Sequence, residues 1–261
     1  MINHKGLKKA LKGFKNNYPF DHCIIENFLD NDVLRNVIKE FPEYSSDIWL
    51  DYNNPLELKK TSNAWFSMPQ HTYSLFQYLN SPEFTTYLSN EIGEELFADY
   101  GLHGGGWHCH SDGGNLNPHM DYSIHPKIKL ERFLNIIIYV SPDIKENHGG
   151  HLGLWEHDEN KIQPGRLVKE IFPKCNRAIL FNTTQNSWHG MSRELSMPKD
   201  VYRSSLAIYY LRKPSKDADR RGKALFAPRE DQKNDKEITD LIKLRSNTKT
   251  ASQAYKKNFK K

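Results

Sequence analysis

Arg132-Phe133-Leu134-Asn135-Ile136-Ile137-Ile138-Tyr139-Val140 is the stretch on which the fold turns. From Phe133 to Val140 it is dense in β-branched and aromatic side chains and reads as a strand. Its uninterrupted apolar part, Ile136 to Val140, is far too short to cross a bilayer. Working outward, short apolar or alternating runs recur between glycine, asparagine and proline breaks, which is the texture of a sheet. The expected strands are Trp107 to His110, Leu152 to Trp155, Leu167 to Phe172, Arg177 to Phe181 and Tyr202 to Leu211. Upstream the period changes from two to that of a helix. Leu7, Leu11 and Phe14 predict a short amphipathic helix over residues 5–16. Cys23 to Phe28 reads as a strand, and Asp30 or Asn31 can cap a helix with Val33, Leu34, Val37, Ile38 and Phe41 on one face, stopped by Pro42. Ser81-Pro82 opens another, through Phe84, Tyr87, Leu88, Ile92 and Leu96. Helices followed by many closely spaced strands predict a mainly β chain with flanking helices (α+β), its core a jelly roll or double-stranded β-helix buttressed by the N-terminal helices.

The 261 residues suffice for one substantial domain. The expected division is a basic segment over 1–20, a domain over 21–212 with its barrel at about 100–212, and a basic extension over 213–261 with one possible helix around Glu237 to Leu244. Charge follows that division. The first 20 residues hold five lysines and no acid, and residues 212–261 carry 16 Lys/Arg against seven Asp/Glu, so a net charge of +5 conceals an acidic body of −9. Basic ends can meet an acidic surface, but solvated terminal charge is the commoner origin, and no nucleic-acid module accompanies them. No apolar leader or membrane-spanning run is visible, and Cys23, Cys109 and Cys175 form no paired motif. A cytoplasmic protein that binds neither membrane nor nucleic acid is expected. The sequence sets no oligomeric state.

Twelve histidines invite a metal, and imidazole with carboxylate suits a divalent first-row ion with open positions. Side chains two apart on a strand share a face, so His-x-Asp can grip one ion. Two such pairs occur, His110-Ser111-Asp112 and His119-Met120-Asp121. Twelve His and 16 Asp placed at random would give about 0.7 such pairs, so context must choose. Gly113-Gly114 put a turn directly after the first pair, which disfavours it as a rigid ligand set.

The second pair has a context. Asn117-Pro118-His119-Met120-Asp121-Tyr122, then Arg132 to Tyr139, then Gly149-Gly150-His151-Leu152-Gly153-Leu154-Trp155, then Arg177-Ala178-Ile179-Leu180-Phe181-Asn182 with Ser187-Trp188-His189-Gly190, and last Tyr202-Arg203-Ser204-Ser205-Leu206-Ala207-Ile208-Tyr209-Tyr210 follow in order. In that order and spacing they resemble the prolyl-hydroxylase-like 2-oxoglutarate oxygenases over roughly residues 100–212. The resemblance implies a cupin-like barrel in which His119, Asp121 and His189 hold Fe(II) and leave room for 2-oxoglutarate and dioxygen. It implies that Arg203, 14 residues after His189, clamps the distal carboxylate of 2-oxoglutarate, with Ser205 beside it and Tyr139 and Asn135 as further cosubstrate contacts. The implied reaction hydroxylates a C–H bond while 2-oxoglutarate yields succinate and carbon dioxide, with ascorbate supportive. A prolyl residue or free proline is the implied substrate, peptidyl or small. This chain departs from the pattern in Val140-Ser141, where leucine-asparagine is usual, and in His151, where a charged residue often follows the glycines.

Two other readings use the same residues. A noncatalytic cupin-like binding protein would have no need of a carboxylate clamp, and a zinc hydrolase would work without oxygen. His108, His125, His148, His151 and His157 are read as structural or loop histidines, and Trp107, Trp155 and Trp188 as core or pocket wall.

Overall fold

The computed structural model describes residues 1–255. In chain order its helices are α1 (His4–Leu11), α2 (Asn31–Lys39), α3 (Gln70–Leu79), α4 (Pro82–Ile92) and α5 (Lys236–Ser246). Its strands are β1 (His22–Ile25), β2 (Leu50–Asn54), β3 (Glu57–Ser62), β4 (Phe97–Ala98), β5 (Gly106–His110), β6 (Asn115–Leu116), β7 (His119–Met120), β8 (Glu131–Tyr139), β9 (Leu152–Asp158), β10 (Gln163–Ile171), β11 (Ala178–Asn182), β12 (Trp188–Met191), β13 (Arg203–Arg212) and β14 (Leu225–Phe226). Short 3-10 turns fill several connections, Ala251–Tyr255 being the last.

Two antiparallel sheets face each other, the double-stranded β-helix arrangement that the strand texture predicts. The larger has the order β1-β11-β8-β13-β5-β3-β2, with β4 and β6 paired at its margins, and the smaller has the order β10-β9-β12-β7-β14. β8 lies inside the larger sheet between β11 and β13. Its two faces explain its unbroken apolar run. Leu134, Ile136 and Ile138 join Leu206, Ile208 and Tyr210 in the core beneath the helices, which supply Leu7, Leu11, Leu75, Phe76, Leu79, Phe84 and Leu88. On the opposite face Tyr139 packs with Phe181, Leu152, Leu154 and Ile171 between the sheets. Each such side chain contributes about 1.5–3 kcal/mol by leaving water, so the helical layer is what fixes the larger sheet in place.

Local signals set the helices. Ser81 Oγ accepts from the Phe84 amide at 3.2 Å, Pro82 occupies the first turn, where an N–H would have no partner, and Gly93 closes α4 at φ 76. α2 starts after Asp30 as expected but ends at Lys39, before Pro42, and only Val37 of its apolar face is fully enclosed. The first helix stops at Leu11, not at 16; a separate 3-10 turn carries Phe14, and all three predicted apolar residues are buried. α3 and the β2–β3 hairpin were not expected.

Beyond residue 212 the chain folds back onto the barrel. β14 pairs with β7, and α5 and the last turn enclose Phe226, Ile238, Leu241 and Ala254 around Leu56. The possible helix at Glu237 to Leu244 is α5. Residues 256–261 lie outside the described part. Among the described residues no helix is long and apolar enough to cross a membrane.

Candidate active site

The smaller sheet carries the metal-ligand geometry. β7 and β12 pair with His119 directly across from His189, and Asp121 follows two residues after His119, as the alternation of a strand requires. One ligand atom from each of His119, Asp121 and His189 lies within 4.8 Å of the others, and no other such group of three exists among the described residues. All three are buried.

Their hydrogen bonds fix which atoms are free. His119 Nδ1 sits 3.0 Å from the Asn117 carbonyl and His189 Nδ1 2.9 Å from the Ser187 carbonyl. A carbonyl only accepts, so each Nδ1 carries the proton and each Nε2 lone pair is left bare. Both Nε2 atoms stand 3.9 Å from an Asp121 oxygen, His119 against Oδ1 and His189 against Oδ2. Aromatic packing holds the rings: Phe226 stacks on His119 at 5.1 Å, and Phe181 packs on His189 at 4.7 Å.

The electrostatics suit a cation. Burial lowers the pKa of both histidines, His119 well below the ordinary range, so both rings are neutral ligands at neutral pH. Burial alone would raise Asp121, but Arg132 first, then His189, His119 and Lys59, draw it down to about 2. Arg132 Nη1 is 3.5 Å from Asp121 Oδ1, and its guanidinium lies between the rings of Tyr122 and Tyr209, 3.6 and 3.5 Å from their centroids. Asp121 Oδ2 is buried without a hydrogen-bond partner. Two bare imidazole nitrogens and an orphaned carboxylate oxygen converging on one point fit a divalent metal.

The triad opens into a cavity of about 260 Å³ between the sheets, and Arg203 lines the same space. Arg203 is held from both sides. Its Nε donates to the Gly150 carbonyl at 2.7 Å and an Nη to the Tyr139 hydroxyl at 3.2 Å. Gly150 has φ +68, and a Cβ there would fall 2.9 Å from Arg203 Cδ and 2.5 Å from Leu195, so the second glycine of Gly149-Gly150 is what lets the arginine through. Burial works against the guanidinium charge, lowering its pKa, so the side chain favours an incoming anion.

The other expected site residues distribute as follows. Ser205 shares the cavity face with Arg203, and Asn135 also lines it, its Oδ1 buried and unpartnered. Tyr139 is fully buried against Arg203 and does not line the cavity. The competing pair separates: His110 faces the cavity, whereas Asp112 is exposed and its Oδ1 accepts from the Met197 amide at 2.8 Å. Of the remaining histidines His108 lines the cavity, His157 accepts from Trp188 at 2.9 Å, and His125 lies 3.7 Å from Asp99. Sequence reading missed Lys59, Arg132 as the partner of Asp121, and Phe226 and Arg245 from the far end of the chain, all of which line the cavity. Only Arg132 had a visible signal, a charge at the head of the largely apolar stretch Phe133 to Val140.

Comparisons with known proteins agree with this geometry. Residues 105–211 match the 2OG-Fe(II) oxygenase superfamily. The chain is 28% identical over 192 residues to prolyl 3-hydroxylase OGFOD1 of Mus musculus, covering 68% of this chain and 30% of that protein. It is 27% identical over 191 residues to the Xenopus laevis protein of the same name, covering 68% and 32%. The chain thus spans about a third of the length of these curated relatives. Among solved structures, a Pseudomonas putida prolyl-4-hydroxylase superposes with a TM-score of 0.58 at 11% identity, covering 80% of this chain and 100% of that one. A prolyl hydroxylase of Trichoplax adhaerens, solved with a hypoxia inducible factor peptide, superposes at 0.56 with 17% identity, covering 78% and 89%. Both show a shared fold. Iron(II) and 2-oxoglutarate are the cofactors typical of the superfamily, and a His-Asp-His triad is present. Through residues 105–211 this chain is similar to the 2OG-Fe(II) oxygenase superfamily.

Proposed function

We propose that the chain is an Fe(II)- and 2-oxoglutarate-dependent dioxygenase that hydroxylates the ring of a prolyl residue or of proline. The observation that carries this is the placing of two complementary devices in one cavity: a triad with three bare ligand atoms, and a buried arginine oriented by Tyr139 and Gly150. A site that only bound metal would have no use for the second, and a hydrolase would have no use for a dicarboxylate clamp.

In this reading His119 and His189 hold the iron through Nε2, and Asp121 holds it through a carboxylate oxygen. Bound there, iron with 2-oxoglutarate supplies the oxidising power for C–H hydroxylation, giving succinate and carbon dioxide. The rest is the work of the protein. Arg203 presents its planar fork to the distal carboxylate of 2-oxoglutarate, with Ser205 one side chain along the same face. Tyr139 positions the guanidinium. Asn135 offers an amide to the cosubstrate from the neighbouring strand, its position paired with Tyr209. Arg132 keeps Asp121 ionised, and the walls exclude water from the oxidant.

The prolyl substrate is supported by the names of the similar proteins. Oxidation at carbon 3 and at carbon 4 are both represented among them, and product analysis by mass spectrometry and NMR distinguishes the two. The division into 1–20, 21–212 and 213–261 is carried forward with the second and third segments forming one functional unit, because the third lines the cavity. A cytoplasmic setting is supported by three cysteines that are all free, and ascorbate is the reductant we would add.

The test is conversion of 2-oxoglutarate to succinate by purified protein with ferrous iron, ascorbate and oxygen, slow alone and faster with a prolyl substrate. No succinate from protein shown to hold iron would reject the reading.

A further inference from the structure

Lys59 holds neither metal nor cosubstrate in the reading above and acts there only through its charge on Asp121, yet it lines the same cavity. It lies on β3, where alternation turns Glu57, Lys59 and Thr61 inward and Lys60 outward, to the Tyr44 ring and Asp51. A lysine stem can usually carry its ammonium out to water. Here the side chain is only 12% exposed.

Its charge is incompletely matched. Among the described residues the one acid within 4 Å of it is Glu57, with Oε2 3.7 Å from the ammonium, while Asp121 acts on it from farther across the cavity. That carboxylate already accepts from Arg245 Nε at 2.7 Å and from the Tyr255 hydroxyl at 2.8 Å, both on Oε1. One acid therefore serves two cations. Elsewhere in the cavity Asp121 faces Arg132, and Arg203 is committed to the cosubstrate. Lys59 is the buried cation left over, with the Tyr52 ring 5.2 Å away as its other neighbour.

Register gives its distance from the cosubstrate clamp. β3 and β5 pair Lys60 with Cys109, so one step further Lys59 stands across from His110, and β5 and β13 pair His110 with Arg203. Lys59, His110 and Arg203 thus form a row across three adjacent strands. At strand spacing, the backbone positions that carry the two cations are separated by roughly 10 Å. That is room for a second acid beside the one that Arg203 takes. His110, between them, is 2% exposed, and neither of its ring nitrogens has a hydrogen-bond partner. A buried imidazole of this kind is a donor awaiting an acceptor.

We propose that Lys59, with His110 and Tyr52 beside it, seats a carboxylate of the primary substrate, so that this chain oxidises a molecule carrying negative charge next to the reacting carbon. The inference rests on the oxygenase reading and narrows its substrate. Two sources can supply the group: the α-carboxylate of a free or C-terminal proline, or an acidic side chain adjoining an internal prolyl residue.

The experiment measures binding by calorimetry to the full chain loaded with nickel(II) and saturating 2-oxoglutarate, so that the Arg203 site is already filled and no turnover occurs. The probes are N-acetyl-L-proline against N-acetyl-L-prolinamide, and acetyl-Pro-Glu-amide against acetyl-Pro-Gln-amide. At least one acid should bind about ten- to a hundredfold more tightly than its amide partner, and which acid does so identifies the source. Lys59→Met should remove that preference and Lys59→Arg should restore part of it; Lys59→Gln serves if the methionine variant does not fold. Equal binding of acids and amides, binding of no probe, or a preference that survives in Lys59→Met or Lys59→Gln overturns the proposal. So does a Lys59 variant that loses 2-oxoglutarate itself, because the lysine would then belong to the cosubstrate. Absence of succinate formation alongside an intact acid preference would instead reject the oxygenase reading and leave the anion site standing.

Discussion

Replacing Arg203 by methionine keeps most of the side-chain volume and removes every donor. Two native bonds go with it, to the Gly150 carbonyl and the Tyr139 hydroxyl. Leaving buried acceptors unpaired costs about 1–3 kcal/mol of stability. For a chain of this size that lowers the melting temperature by roughly 2–12 °C, too little to unfold it. The effect on 2-oxoglutarate is larger. A carboxylate brought to the 5%-exposed Arg203 position without its cation is a buried charge with one partner deleted, which costs about 3–5 kcal/mol. Affinity should therefore fall by roughly a hundred- to several-thousandfold. Arg203→Lys retains the charge, but a single ammonium cannot bond Gly150 and grip a carboxylate with a parallel fork, so it should fall between the two. The assay is the KM for 2-oxoglutarate from succinate formation, alongside iron stoichiometry after anaerobic loading, which should stay at the wild-type value. A KM within twofold of wild type in the methionine variant would refute the clamp.

Three further outcomes are expected. Asp121→Ala should lose iron and all turnover, whereas Asp112→Ala, which gives up one bond to the Met197 amide, should keep iron and lose about 0.5–1.5 kcal/mol of stability; iron retained by the first and lost by the second would reverse the ligand assignment. Arg245→Ala strips the strongest partner from the buried Glu57 and should cost about 3–5 kcal/mol, read as a melting temperature lower by roughly 6–20 °C; an unchanged melt would show that the extension is only loosely seated. Burial by itself would raise the Glu57 carboxyl, but Arg245 and Lys59 outweigh it and hold its pKa below the ordinary 4.5. That stability is complete above pH 4.5 and is lost as pH falls through the lowered value, so the acid limb of a pH–stability curve should flatten in Glu57→Gln, and parallel curves for the two proteins would contradict it.

The barrel and the triad were legible because their signals are local or periodic. β8 announces itself through composition, and His119 with Asp121 through strand alternation; the order of the surrounding blocks then chose this pair over His110 and Asp112. What stayed hidden was hidden for physical reasons. Glu57-Leu58-Lys59-Lys60-Thr61-Ser62 has no apolar face because one side meets a polar cavity and the other an aromatic ring and an acid at the surface. It therefore looks like loop. Arg245 reaches Glu57 across 188 residues and Phe226 meets His119 across a β-pair formed by only two residues per strand. No window along the chain contains such information. α3 was missed because its apolar side chains, Leu75, Phe76 and Leu79, are compressed among polar and aromatic neighbours that suit helix and strand alike.

The two-residue strand β14 bears on how the protein is made. β7, which carries His119, has β12 on one side and β14 on the other. During synthesis residues 188–191 emerge soon enough to supply the first neighbour, but the second arrives only with Leu225 and Phe226, and the helix that seals them follows at 236–246. Until then the first metal histidine sits on an open edge without its stacking ring. A nascent chain that has emerged only as far as residue 224 therefore has the barrel walls but not the strand and ring that brace His119.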